Sequence, residues 1–171
     1  MDRYIPDIYQ KSIYVVKYDK LAKSGIKCIL FDIDNTLVSH NSCEVSNKLL
    51  ELIDTLKSLG IEPILYTECK NRRFNSIKSA LNIEGYNHVY KIFSNKIEDV
   101  LKKYKEPEIA LVTDQMTPDI KFGNGIGITT ILVNPISNKC SFITHLKRGK
   151  ERRIMSKLRA NNLFVKGRYY E

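Results

Sequence analysis

The chain alternates short apolar runs with longer stretches in which apolar residues recur at helical spacing. The apolar runs have the length of buried strands and lie at about residues 26–32, 61–66, 88–93, 109–112 and 128–133. The helical spacing predicts helices at about residues 18–24, 45–59, 71–81, 95–104 and 145–159, and Gly123, Gly125 and Gly127 punctuate a small helix and its exit. Strands that alternate with helices form a parallel sheet with right-handed crossovers. The pattern therefore predicts a three-layer, Rossmann-like α/β fold.

The length of 171 residues fits one domain with a substantial core of its own. We expect a lead-in at residues 1–25 that packs on the core, the α/β core at residues 26–138, and a basic helical tail at residues 139–171. The four cysteines include no CxxC pair, so the sequence predicts neither a zinc cluster nor a disulfide framework. It also has no signal-peptide core and no membrane-spanning run. We therefore expect a soluble protein of the cytoplasm.

The positive charge is concentrated in the tail. The formal charge of the chain is +9, and from Lys139 onward ten basic residues accompany only two acidic ones, a net charge of +8. Apolar residues lie between these charges: Ile143, Leu146, Ile154, Met155, Leu158, Leu163 and Phe164. Such a tail suits an anionic partner. Two partners stay open, namely the inner face of an anionic membrane, on which a helix would lie, and RNA.

Carboxylates follow the ends of two predicted strands. Asp32 and Asp34 follow the first apolar run, and side chains that alternate along an extended chain would put both on one side. Two carboxylates this close repel each other unless a cation, a shared proton or strong donors stabilise them. Asp114 follows the strand at 109–112, with Asp119 five residues later. Ligands of parallel sheets bind beyond the carboxyl ends of the strands, so we expect these side chains to converge.

The convergent groups suit phosphoryl transfer. Oxygen ligands of this kind fit Mg²⁺, and Asp32 is placed to attack phosphorus as a carboxylate nucleophile. Asp34 is placed to protonate the leaving oxygen and then to activate water. Thr67, at the end of the second predicted strand, and the main-chain N–H groups after Asp34 are placed to hold phosphoryl oxygens. The competing interpretation is that Asp32 to Thr36 forms only a polar turn and that Asp114 only caps a helix.

Five segments resemble the haloacid dehalogenase superfamily of phosphatases. They are YIPDIYQKSIYVV, GIKCILFDIDNTLV, LGIEPILYT, LVTDQMTPDIKFGNGIGITTILVNPI and the basic KRGKERRIMSKL, of which the first and the fourth are highly specific. The chain is most similar to the small, cap-less YqeG-type branch of subfamily IIIA, related to the phosphatidylglycerophosphate phosphatases of mitochondria and plastids. The resemblance implies a Mg²⁺-dependent phosphatase with an aspartyl-phosphate intermediate and no sizeable cap domain.

The resemblance also assigns roles to individual residues. Asp32 is the nucleophile, and Asp34 is the acid and base, whose main-chain carbonyl also binds metal. Asp114 is a further Mg²⁺ ligand, and Asp119, the second acid of the same motif, orients water or metal ligands. The metal set predicted in this way is Asp32, Asp34, Asp114 and Asp119. The residues predicted to bind phosphate are Thr67, Asn35 and Lys96.

Three positions depart from the family pattern. Glu68 replaces the usual Asn of the second motif, and Thr113 replaces the usual Gly before the fourth-motif acid. The usual Lys-Pro pair after the third strand is absent, which leaves Lys96 or Lys91 as the candidate cation. Phosphatidylglycerophosphate is the expected substrate. Two alternatives stay open: a phosphatase of a soluble phosphomonoester, and a catalytically weak or silent protein of the same fold that binds RNA or the ribosome.

Overall fold

The structure, a computed structural model, describes residues 2–87, 95–138 and 142–167, without the side chains of 95–96 and 142–147. Within these ranges six parallel strands form one sheet in the order β1-β6-β5-β2-β3-β4. The strands are β1 (Ile8–Gln10), β2 (Cys28–Phe31), β3 (Glu62–Thr67), β4 (Glu84–Asn87), β5 (Ile109–Thr113) and β6 (Thr129–Val133). The helices are α1 (Tyr18–Lys23), α2 (Asn47–Ser58), α3 (Asn71–Leu81), α4 (Asn95–Leu101), α5 (Lys121–Ile126) and α6 (Phe142–Ala160).

The central strand β2 shows how the three layers arise. All four of its residues are buried, and successive side chains point to opposite faces of the sheet. Ile29 and Phe31 pack with the apolar sides of α2 and α3, whereas Cys28 and Leu30 pack with those of α4 and α5. A strand buried on both faces has a continuous apolar sequence. The predicted three-layer α/β fold with a parallel sheet is confirmed.

The chain reverses its direction of winding at β2. From β2 it continues through α2 to the neighbouring strand β3, whereas the strand on the other side of β2 is β5, which leads on to β6. In sheets of this topology, ligands bind at the carboxyl ends of the two strands where the winding reverses, here β2 and β5. Phe31 pairs with Val112 in the sheet, so Asp32 and Asp114 leave the sheet at nearly the same level.

Two strands are absent from the sequence-based prediction. The strand predicted at 88–93 lies outside the described residues, and the described strand β4 precedes it at Glu84–Asn87. β1 lies within the predicted lead-in and pairs with β6. Both strands lie at the edges of the sheet. Their formation depends on pairing with a neighbour rather than on a local apolar pattern.

The two ends of the described chain meet at the β1 edge of the sheet. Leu158 and Phe164 are buried there, and the ring of Phe164 stacks on that of Tyr9 with 4.3 Å between the centroids. The main-chain N–H of Gly167 donates to the carbonyl of Tyr9 at 2.7 Å. The sequence analysis names Leu158 and Phe164 among the apolar residues of a tail suited to a membrane or to RNA. In the structure both are buried in the protein's own core. Among the described residues, no helix is long and apolar enough to cross a membrane.

The close contact between α5 and β6 gives a stability test. A Cβ atom at Gly123 would lie 2.5 Å from Thr130 Cγ2, and Thr130 cannot easily move because its hydroxyl is bonded to Asp7 and Asn124. We expect Gly123→Ala to lower the free energy of unfolding by about 1–3 kcal/mol, as overpacked cores do. The measurement is urea unfolding followed by circular dichroism.

The matched control for this substitution lies two residues away on the same helix. At Gly125 an added Cβ would meet no atom within 4 Å. We expect Gly125→Ala to raise the free energy of unfolding by about 0.5–1 kcal/mol through helix propensity. Equal effects of the two substitutions would contradict the packing described for α5.

Candidate active site

The loop after β2 is a tight turn that holds the two acidic residues of the DxDxT motif. Asn35 has a φ of +60°, a conformation that Asn adopts more readily than most residues. Its main-chain N–H donates to the carbonyl of Val38 at 2.8 Å, and its Oδ1 accepts from the Ser137 hydroxyl at 2.9 Å and from the main-chain N–H of His40 at 3.3 Å. Asn35 therefore ties this turn to the loop after β6. A phosphate contact by Asn35 stays a prediction.

Asp32 directly follows the carboxyl end of β2 and is buried. Its Oδ1 accepts a hydrogen bond from the Thr67 hydroxyl at 2.8 Å, and its Oδ2 lies 3.5 Å from the hydroxyl of Thr36. Thr36 Oγ1 also accepts from the main-chain N–H of Asp114 at 3.0 Å. The ends of β2, β3 and β5 are thus connected through hydroxyl groups. The predicted convergence of Asp32, Thr67 and Asp114 is present in the structure.

The carboxylate of Asp34 faces two basic side chains. Its Oδ2 accepts from Arg73 Nη1 at 2.9 Å, and its Oδ1 lies 3.0 Å from Nδ1 of His40. Arg73, on α3, is buried and also donates through Nε to the carbonyl of Ser42 at 2.7 Å. One guanidinium therefore joins α3 to both the DxDxT turn and the loop that precedes α2.

The carboxylate of Asp114 is almost fully enclosed and lies against Arg148 of α6. Arg148 Nη2 binds Asp114 Oδ2 at 2.5 Å, and only 1% of the Asp114 side chain is exposed. Burial raises the pKa of Asp114 to about 7, although the guanidinium of Arg148 opposes this rise. Asp114 Oδ1 is buried and has no hydrogen-bond partner among the described residues. This oxygen therefore has an acceptor site that no described residue uses.

Asp119 is held beside Asp114 by a residue that departs from the family pattern. The hydroxyl of Thr113 donates to Asp119 Oδ2 at 2.7 Å and accepts from the main-chain N–H of Gln115 at 3.0 Å. The negative charge of Asp119 adds to the effect of burial in raising the pKa of Asp114. Thr113 therefore fixes the position of the second acid of this motif.

The remaining predicted site residues are less completely defined. Glu68, which replaces the usual Asn, is exposed. Lys96 is the second residue of α4, but its side chain and the whole of Lys91 lie outside the described part of the chain. Phosphate binding by Lys96 or Lys91 stays a prediction, as do the catalytic and metal-binding roles of the aspartates.

Arg148 and Glu151 were missed at the level of the sequence. Arg73 was expected on a solvated or phosphate-facing side of its helix, but it is buried against Asp34. Arg73 had a detectable signal, because it lies four residues before the buried Ile77 on an otherwise apolar helix side. Glu151 is one of only two acidic residues in a basic segment, and its carboxylate accepts from the main-chain N–H of Thr117 at 2.6 Å and from its hydroxyl at 3.0 Å. Arg148 had no signal that set it apart from its basic neighbours.

The donor set fits a hard divalent cation. Among the described residues, no three acidic, histidine or cysteine side chains lie close enough to form a metal centre by themselves. Mg²⁺, however, binds through one or two carboxylates and keeps several waters. Asp114 Oδ1 is a buried carboxylate oxygen without a partner, and Thr36 joins Asp114 to Asp32. By donor type, these two carboxylates fit such an ion.

Comparison with known proteins gives the class of the protein. The probable phosphatase YqeG of Bacillus subtilis (strain 168) is 29% identical over 160 residues, which cover 91% of this chain and 92% of that protein. The solved structure of DsGPDH from Dunaliella salina has the same fold, with a TM-score of 0.53 and 20% identity over 75% of this chain and 28% of that one. The chain is a phosphoric monoester hydrolase of the haloacid dehalogenase type.

The particular family follows from a second match. The model of the mitochondrial PGP phosphatase family matches residues 2–137, and the chain belongs to this family. The chloroplastic and mitochondrial phosphatidylglycerophosphate phosphatase 1 of Arabidopsis thaliana is 24% identical over 144 residues. These cover 78% of this chain but 41% of the plant protein, so the chain spans less than half the length of that relative.

The contact between Arg73 and Asp34 can be tested by stability. Arg73→Met removes the guanidinium and leaves the Asp34 carboxylate and the Ser42 carbonyl without their donor. Because Asp34 is partly exposed, we expect a loss of about 2 kcal/mol in the free energy of unfolding, less than for a fully buried pair. The measurement is chemical unfolding at neutral pH.

The neighbouring arginine provides a matched control for this substitution. Arg72 is exposed on the same helix, and we expect Arg72→Met to change the free energy of unfolding by less than about 0.5 kcal/mol. A similar loss from both substitutions would mean that Arg73 contributes through helix propensity alone.

Proposed function

We propose that this chain hydrolyses phosphatidylglycerophosphate through an aspartyl phosphate formed on Asp32. The observation that carries the proposal is the setting of the Asp32 carboxylate. It is buried at the end of β2, it accepts a hydrogen bond from Thr67, and Thr36 connects it to Asp114. A carboxylate fixed at the carboxyl end of a strand where the winding reverses is placed for a ligand that binds there.

The reaction proceeds in two steps. In the first, which Asp34 enters in its protonated form, an oxygen of Asp32 bonds to phosphorus, the bond between phosphorus and the ester oxygen breaks, and the Asp34 proton passes to the leaving alcohol. In the second, water attacks the phosphorus while Asp34 takes a proton from it. The bond from phosphorus to Asp32 then breaks, which releases inorganic phosphate and restores both carboxyl groups. Thr67, Asn35 and Lys96 are the proposed contacts of the phosphoryl oxygens.

Asp32 and Asp114, with the main-chain carbonyl of Asp34, are the groups we propose to hold Mg²⁺. Asp119 would orient water or the metal ligands. When bound, the cation supplies positive charge that stabilises the phosphoryl oxygens in the transition state. The support for this set is the unpartnered Oδ1 of Asp114 and the link that Thr36 makes between Asp114 and Asp32.

The short connection between the acidic turn and α2 supports a large substrate. Residues 35–46, all described, are the only connection between the acidic turn and α2, so no cap domain is inserted there. Haloacid dehalogenase-type sites without a cap admit phosphate groups on bulky or surface-bound molecules. The name of the Arabidopsis relative specifies phosphatidylglycerophosphate for that protein, and we propose the same lipid as the substrate here.

The tail supports contact with an anionic membrane. Lys150, Arg153 and Lys157 are exposed and follow one another at spacings of three and four, which puts them on one side of α6. We call these three residues the basic face. Arg148 lies on the opposite side of α6, where it contacts Asp114. A membrane bound at the basic face would lie across α6 from Asp114, one helix diameter of ~10–12 Å away, at the cytoplasmic side of the lipid bilayer.

The enzymatic proposal predicts phosphate release from phosphatidylglycerophosphate in detergent micelles. We expect release that requires Mg²⁺, stops with EDTA and falls by at least about 1,000-fold in Asp32→Asn, because the nucleophile is lost. Asp54→Asn is the matched control, since Asp54 is exposed on α2 and its substitution should leave the rate unchanged. The measurement is colorimetric detection of inorganic phosphate.

The same assay separates the alternative functions. A soluble aryl phosphate is run beside the lipid. Release from the aryl phosphate but not from the lipid would indicate a phosphatase of soluble phosphomonoesters. No release from either compound by folded protein with Mg²⁺ present would indicate a catalytically silent member of the fold, and Glu68 would be the first position to substitute.

The membrane proposal predicts that vesicles containing phosphatidylglycerol sediment the protein and that neutral phosphatidylcholine vesicles do not. Each basic residue near an anionic surface contributes about 1 kcal/mol. We therefore expect the combined change of Lys150, Arg153 and Lys157 to Gln to weaken binding roughly 100-fold. The measurement is co-sedimentation at low and at high salt.

A control with the same loss of charge accompanies this experiment. Lys11, Lys48 and Lys121 are exposed and lie outside α6, and their combined change to Gln should weaken vesicle binding far less. Equal weakening by both triple variants would show that net charge, not the basic face, drives binding. Capture of RNA without binding to vesicles would instead support the RNA-associated alternative.

A further inference from the structure

One side of α6 faces the core and bears both charged and apolar side chains. Leu158 is fully buried, and Glu151 binds the main-chain N–H and hydroxyl of Thr117. Three residues before Glu151, the guanidinium of Arg148 lies against Asp114, with 16% of the Arg148 side chain exposed. α6 is therefore anchored one turn beyond Arg148. This anchoring fixes the position of Arg148 along α6 relative to Asp114 at the end of β5.

The contact with Arg148 gives the two oxygens of the Asp114 carboxylate different surroundings. Nη2 of Arg148 binds Oδ2, whereas Oδ1 is buried and has no partner in the described part of the chain. The main-chain N–H of Asp114 is held by Thr36 at 3.0 Å. Both the backbone and one oxygen of Asp114 are thus fixed. A buried carboxylate oxygen without a partner is costly unless a ligand satisfies it.

We propose that Arg148 is a positioning residue for Asp114: it holds Oδ2 so that Oδ1 stays free to coordinate the divalent cation. This inference rests on the proposed function, because the cation is the one proposed for the phosphatase site. It adds a residue from α6, beyond the segment 2–137 that the family model matches. Partners that orient a metal-binding side chain typically change metal affinity 10–100-fold.

The alternative role for Arg148 is competition with the cation. A guanidinium that engaged both carboxylate oxygens would block coordination and would have to leave before metal binds. In the structure Arg148 engages the carboxylate through Nη2 at Oδ2, whereas Asp114 Oδ1 and Arg148 Nε are both buried without a partner among the described residues. This geometry favours positioning, and the two roles predict opposite changes of metal affinity when Arg148 is replaced.

The test is Mn²⁺ binding to the full chain without substrate, followed by the electron paramagnetic resonance signal of free Mn²⁺. We expect Arg148→Met to weaken Mn²⁺ affinity by about 10–100-fold and Arg148→Lys to recover part of it. Arg152→Met is the matched control, because Arg152 is exposed on the same helix and its loss should leave the affinity unchanged. Circular dichroism establishes that each variant is folded.

Each outcome decides the inference. Unchanged Mn²⁺ affinity in Arg148→Met would overturn it, and tighter binding would show that Arg148 competes with the metal. If Arg148→Met does not fold, Arg148→Lys carries the comparison, because an ammonium cannot reproduce the guanidinium contact and affinity should still fall. Wild-type protein that binds no Mn²⁺ would contradict the proposed metal site itself. Wild-type binding with unchanged affinity in the Arg148 variants would overturn only the role of Arg148 and leave the phosphatase proposal intact.

Discussion

The parallel pairing of β2 with β5 is the constraint on which the site depends. β2 is a central strand that lies between β5 and β3. The chain winds in one direction from β2 to β3 and in the opposite direction from β5 to β6. The pairing of Phe31 with Val112 sets Asp32 and Asp114 at nearly the same level. Thr36 then fixes the distance between the two strand ends by contacting both residues. The convergence of Asp32 and Asp114 at this edge of the sheet therefore depends on the order of the strands and on the hydroxyl of Thr36.

Much of this arrangement could be predicted from the sequence because it depends on local patterns. The apolar run at β2 predicts a buried strand, and the acidic turn directly after it predicts polar groups at the strand end. Parallel topology then brings Thr67 and Asp114 to the same edge. Each step uses only period, composition and the rule that ligands bind at the carboxyl ends of strands. No precise side-chain geometry is needed for the prediction.

The features that escaped prediction depend on partners distant in the chain. β1 and β4 lie at the edges of the sheet, and the Glu84–Asn87 sequence has no apolar run that would announce a strand. Gly85 packs within the sheet so closely that an added Cβ would lie 2.7 Å from Leu65 Cβ, so pairing there selects for a small residue rather than for β propensity. In the sequence, Arg148 similarly does not differ from the other basic residues of the tail. Its role becomes visible only in the structure, where Leu158 and Phe164 pack in the core.

The positions of Arg73 and Arg148 bear on a difficulty that the sequence raised. A site that combines Asp32, Asp34, Asp114 and Asp119 repels a phosphate dianion, and the usual lysine of the third motif is absent. Arg73 binds Asp34 and Arg148 binds Asp114, both largely out of water, where opposite charges compensate each other most strongly. Two of the four carboxylates thus have a fixed cation that does not come from the third motif. The same pairing explains why part of the tail's charge is structural. Arg148 belongs to the core electrostatics, whereas Lys150, Arg153 and Lys157 on the outer side of α6 are exposed.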